Sequence, residues 1–71
     1  MKVSYNNLFK QLIDKGMKKT ELAAAAGLTP ATLARLSKGQ TVSMETIIKI
    51  CEYLECRIED VMELVPKGDQ Q

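Results

Sequence analysis

Residues 18–39 read KKTELAAAAGLTPATLARLSKG, and this stretch decides the fold. At its centre, Gly27-Leu28-Thr29-Pro30 carries the strongest boundary signal in the chain. Gly27 can take a positive φ without steric penalty and so stops a helix. Thr29 can cap the next helix through its hydroxyl, and Pro30 suits the first helical position, where a missing N–H is not needed. To the left, Lys18 to Ala26 reads as a short helix whose inner face is Leu22, Ala23 and Ala26. The run Ala23–Ala26 has high helix propensity and little bulk, which lets a second helix approach closely. To the right, a helix runs from Pro30 to about Ser37, with Leu33 and Leu36 inward and Gly39 closing it. Two short helices joined by a tight glycine turn cross steeply. The outer face of the second is left with Ala31, Ala34, Arg35 and Lys38 at helical spacing.

The flanks read as helices too. Tyr5, Leu8, Phe9, Leu12 and Ile13 recur at three- and four-residue spacing, predicting a helix from about Asn6 to Lys15 that Gly16 ends. Ser43 reads as the cap of a further helix, with Glu45 in its first turn and a stripe of Ile47, Ile50, Cys51 and Leu54. Ile58, Val61, Met62 and Val65 predict a fifth, shorter helix over about Ile58 to Leu64, and Pro66 ends it. No segment alternates as a strand would. The expectation is an all-α bundle of about five short helices, a single domain over residues 1–66, with residues 67–71 as a short flexible tail.

The 71 residues leave room for one small core, burying about 60% of the surface of the unfolded chain. With three aromatic residues and no Trp, that core must be aliphatic. There is no His, which removes the commonest general base. Two cysteines, Cys51 and Cys56, are too few for a metal site and read as reduced thiols in or near the core. Neither catalytic nor metal-ligating residues are expected, and no cofactor or small-molecule substrate. Glu52, Glu55 and Glu59 stand on late elements without a nucleophile–base pair or a glycine-rich loop. No apolar run approaches the ~20 residues of a membrane span, and MKVSYNN is not a secretory leader, so the cytoplasm is the expected compartment. The net charge of +1 hides an asymmetry. Residues 1–41 hold seven basic side chains against two acidic ones, whereas residues 42–71 hold three against seven. One half suits a polyanion and the other is turned from it.

Residues 18–39, with Glu21-Leu22-Ala23 followed by Gly27 four residues after that Ala and by a capped second helix, resemble the helix-turn-helix of the lambda-repressor-like family, also called Cro or Xre. SYNNLFKQLIDKGM (residues 4–17) is similar to the leading helix of short Xre-type regulators. VSMETIIKICEYLECRIEDVMELVP (residues 42–66) resembles their closing helices, including the pattern Leu54, Cys56, Ile58, Asp60. The resemblance implies a sequence-specific regulator of transcription, a repressor, that inserts its third helix in the major groove of double-stranded DNA. Thr29, Pro30, Ala31 and Thr32 would face base edges or the flanking backbone, and Arg35 would reach from one turn later. Lys18 and Lys19, at the start of the second helix, would touch phosphate, a reason for lysines to sit where the helix dipole disfavours them. Lys38, Gln40 and Thr41 would follow the backbone. Family members often carry Gln or Ser where this chain has Pro30 and Ala31, which lack side-chain donors. Arg35 is then the one long donor on this face, and DNA shape must share in selection. A homodimer on a pseudo-palindromic operator is expected, with Val61, Met62 and Val65 as its surface; Met62 and Val65 read equally as core. The competing reading is an antitoxin- or antirepressor-type module that uses the same fold to bind a protein.

Overall fold

The computed structural model describes residues 1–67. Among them are four α-helices: α1 (Asn6–Asp14), α2 (Lys19–Ala26), α3 (Pro30–Lys38) and α4 (Met44–Leu54). A 3₁₀ turn at Ile58–Asp60 follows, and two strands, β1 (Lys2–Ser4) and β2 (Glu63–Val65), pair antiparallel. Val3 stands opposite Leu64, so the sheet joins the two ends of the described chain. The bundle is therefore mostly helical rather than all-α. The short tail expected over residues 67–71 lies, beyond Lys67, outside the described residues.

Each helix begins and ends for a local reason. The Thr29 hydroxyl accepts from the Thr32 N–H at 3.2 Å, and Pro30 follows it as the first residue of α3. The Ser43 hydroxyl accepts from the Thr46 N–H at 3.2 Å and starts α4. Lys18 precedes α2 rather than belonging to it, and the Glu21 carboxylate accepts from its backbone N–H at 2.7 Å. Gly27 ends α2 at φ 73°, in the left-handed region. Thr29→Ala removes a satisfied helix-end donor's partner and should lower stability by about 1 kcal/mol, or ~4–8 °C in melting temperature for a domain of this size. Thermal unfolding followed by circular dichroism checks this.

The core is built around Leu8 and Leu12 of α1, Leu22 of α2, Leu36 of α3, and Ile47, Ile50 and Leu54 of α4. Val3, Tyr5 and Val61 close it from the two chain ends. Against this core α2 packs on both α3 and α4. Cys51 and Cys56 are free, half-buried thiols packed against it. Burial, and behind it the neighbouring Cys56 thiol and the Asp60 and Glu59 carboxylates, push the Cys51 thiol up, away from the reactive thiolate form.

Three expectations are corrected. The fifth helix is a single 3₁₀ turn leading into β2, because the Glu59 and Asp60 carbonyls are held from outside the segment. The Asn7 side chain donates to the Glu59 carbonyl at 3.2 Å, and the Gln11 side chain to the Asp60 carbonyl at 2.6 Å. Val61, expected on a subunit surface, is completely buried (0% exposed) and fills the core of its own chain. Met62 packs half-buried on that core and Val65 is half-buried in β2, while Leu64, its neighbour in β2, is 60% exposed. Ile13, assigned to the inner face of α1, is 77% exposed.

A helix-turn-helix with one open face

The α2–turn–α3 unit is locked from inside and open outside. The Leu28 N–H donates to the Ala23 carbonyl at 2.8 Å, closing the turn past Gly27, and Leu28 packs half-buried on the core. An Ala at position 27 would meet no atom within 4 Å, so backbone conformation rather than crowding demands glycine there. On α3, Leu36 is buried and Thr32 and Leu33 are half-buried. Their burial turns Ala31, Ala34, Arg35 and Lys38 outward, and all four are exposed. Positions 31, 34, 35 and 38 form one continuous stripe on a helix.

Of the DNA-contacting residues that the resemblance implies, all except Thr32 lie on the surface: Lys18, Lys19, Thr29, Pro30, Ala31, Arg35, Lys38, Gln40 and Thr41 are exposed. They fall on three contiguous pieces of chain, the start of α2, α3, and the loop after it. The Thr29 hydroxyl is occupied: besides accepting from the Thr32 N–H, it donates to the Thr32 hydroxyl at 3.0 Å. Its work is structural first, and it retains at most a lone pair for a ligand. Arg35 and Lys38 make no ion pair among the described residues, where the salt bridge present is Arg57–Glu59 at 3.9 Å. Both stand in the last turn of α3, where the helix dipole favours cations. The Lys19 ammonium lies 4.4 Å from the centroid of the Phe9 ring of α1.

The loop that carries Gln40 and Thr41 is fastened to the start of α1. The Tyr5 hydroxyl donates to the Gln40 carbonyl at 2.7 Å, across 35 positions of sequence. Within the loop the Gln40 N–H returns to the Arg35 carbonyl at 2.9 Å. Tyr5 was legible only as an apolar face residue. The available signal was a buried tyrosine in a chain with few aromatics, since a buried phenol needs a partner. Burial raises the Tyr5 pKa, opposed by a backbone hydrogen bond from Val42. The fold thus prefers the neutral phenol, and the folded pKa lies above the unfolded one. The stabilisation is complete below the unfolded value, about pH 10, and is lost as pH rises through the folded value. Tyr5→Phe should lower stability by about 1 kcal/mol at neutral pH by leaving the Gln40 carbonyl without its donor. The difference between wild type and variant should then shrink in melts above about pH 10, where the wild type loses what the phenol contributed.

No group of three or more His, Cys, Asp or Glu able to hold a metal ion lies among the described residues, and none of their helices is long and apolar enough to cross a membrane. What the arrangement offers is an exposed, cation-bearing helix face mounted on the core through Leu36.

Comparison with known proteins agrees with this geometry. Residues 7–67 match the family model of the Cro/C1-type HTH DNA-binding domain. The chain is similar to an uncharacterized HTH-type transcriptional regulator of Bacillus subtilis (strain 168), YozG, with 34% identity over 59 residues, covering 80% of this chain and 70% of that protein. Its fold is similar to the crystal structure of the transcriptional regulator VanUg, with a TM-score of 0.90 and 47% identity, covering 93% of this chain and 88% of that one. With a turn closed at Gly27, a helix capped at Thr29 and an unburdened outer stripe on α3, the chain belongs to the Cro/C1-type helix-turn-helix DNA-binding family.

Proposed function

We propose that this protein is a sequence-specific transcriptional repressor that binds double-stranded DNA as a homodimer, laying α3 in the major groove of each half-site. The observation that carries the proposal is the outer stripe of α3: Ala31, Ala34, Arg35 and Lys38 are exposed together on a helix whose opposite side is anchored by Leu36. An α-helix fits the major groove, and the small residues Ala31 and Ala34 allow close approach to base edges and thymine methyl groups. Arg35 then supplies the long bidentate donor suited to guanine. Lys18 and Lys19 before it, and Lys38, Gln40 and Thr41 after it, lie where a helix-turn-helix meets the sugar–phosphate backbone on either side of the groove. The relatives are named as transcriptional regulators, which favours the same role here.

The arithmetic of affinity supports a dimer. One face with one long base-reading donor is a weak reader, and joining two on half-sites about one helical turn apart multiplies their effect. Repression is then occlusion of the promoter, and the site of action is the cytoplasm. Of the expected subunit surface, Met62 and Val65 are half-buried within the chain and keep part of their area for a partner.

Fluorescence anisotropy with labelled duplex at several salt concentrations tests the proposal. Binding should weaken linearly in a double-logarithmic plot of affinity against salt, and Lys19→Ala should reduce that slope by about one unit. Absence of duplex binding even at low salt would transfer the function to an antitoxin- or antirepressor-type protein-binding module.

A further inference from the structure

We propose that Phe9 is a positioning residue for DNA binding: its ring is the platform that holds the Lys19 ammonium ready for a phosphate. The inference rests on the reading of Lys19 as a phosphate contact and goes beyond it, because Phe9 touches no DNA in this account. Lys19 is the first residue of α2, at the positive end of the helix dipole, where its own charge is disfavoured. Its ammonium nonetheless lies over an aromatic ring, 4.4 Å from the centroid and well inside the ~6 Å range of a cation–π contact. The ring is itself fixed. Phe9 lies in the middle of α1, half-buried and packed against the core to which Leu8 and Leu12 of the same helix belong. The Lys19 ammonium therefore rests on a ring that packs against the core.

An exposed lysine ordinarily sweeps a wide volume, and holding it against a phosphate removes that freedom. A ring beneath the ammonium removes part of it beforehand, and the ammonium keeps its N–H donors for a phosphate oxygen, since a cation–π contact engages charge rather than a particular hydrogen. Leu or Ile at position 9 would keep an apolar contact with the core without offering a negative π face. The ring explains both why a lysine is tolerated at the first position of α2 and why that position is useful.

The test is a double-mutant cycle read in duplex affinity, with melting temperature followed for every variant. Phe9→Leu should weaken binding about threefold when Lys19 is present and leave it unchanged in a Lys19→Gln background. Phe9→Tyr, which keeps a π face, should bind as wild type, and Lys19→Arg, which can stack, should retain the dependence on Phe9. A merely structural role for Phe9 predicts an equal loss in both backgrounds, and that result overturns the proposal, as does undiminished binding by Phe9→Leu with Lys19 intact. If wild type binds duplex but Lys19→Gln binds equally well, Lys19 makes no phosphate contact and this proposal falls while the function stands. If wild type binds no duplex, both fall.

Discussion

Arg35→Ala is expected to weaken binding to the preferred duplex by roughly 10- to 100-fold, which corresponds to about 1–3 kcal/mol for a bidentate guanine contact. Binding to unrelated duplex should fall much less, because only the charge is lost there. The expected signature is a collapse of the specificity ratio, not a uniform loss. Its physical basis is the composition of the α3 stripe. Ala31 and Ala34 have no donor, Lys38 is a turn further on, and the Thr29 hydroxyl is committed to capping. Arg35 stands in the last turn of an exposed face, unpaired among the described residues, so its removal should leave the fold intact. Arg35→Lys is a sharper variant: it keeps the charge and the salt dependence but loses the planar fork, and should lose most of the specificity. Anisotropy titrations with matched and scrambled duplexes distinguish these terms.

Leu22→Ala should act on the fold and carry function down with it. Leu22 is completely buried (0% exposed) on α2, the helix that packs on both α3 and α4. Deleting a buried leucine side chain removes about 2–5 kcal/mol through lost transfer energy and the cavity left behind. For a domain of this size that means a melting temperature lower by at least ~8 °C and up to several tens of degrees. Small domains have few kilocalories in reserve, so much of the chain should be unfolded near 37 °C. Chemical denaturation gives the comparison directly, with an unchanged m-value and a lower midpoint. DNA affinity per folded molecule should be unaffected at low temperature, which separates this class of variant from Arg35→Ala.

What was legible in the sequence was what is encoded locally. Gly27, Thr29 and Pro30 act within four residues of themselves, through a left-handed backbone, a hydroxyl cap and a fixed φ, and the helix-turn-helix follows from them. The exposed candidates on α3 were legible because Leu36 fixes the orientation of the helix. The strands were not, because each has three residues, too few for alternation to register, and the partner of Val3 is Leu64 at the far end of the chain. The segment after Cys56 misled for a related reason. Ile58, Val61, Met62 and Val65 have helical spacing, but Asn7 and Gln11 capture the carbonyls of Glu59 and Asp60. Those long-range bonds fix the turn that sends Val61 into the core and Glu63–Val65 into the sheet. Ile13 shows that helical spacing alone does not say where a buried face ends. In the candidate site, the exposure of the cations was legible from their position, whereas the Tyr5 clamp and the Lys19–Phe9 contact involve partners at separations of 35 and 10 residues that no local pattern announces.

The central claim is that α3 reads base sequence in the major groove. Selection of bound molecules from a random duplex library, run in parallel with wild type and Arg35→Ala, tests it most directly. Enrichment of a shared pseudo-palindromic motif containing a guanine in each half-site, with preference at that guanine relaxed in Arg35→Ala, is the predicted result. A wild-type pool that enriches no motif, or one whose motif is identical in Arg35→Ala, would contradict it.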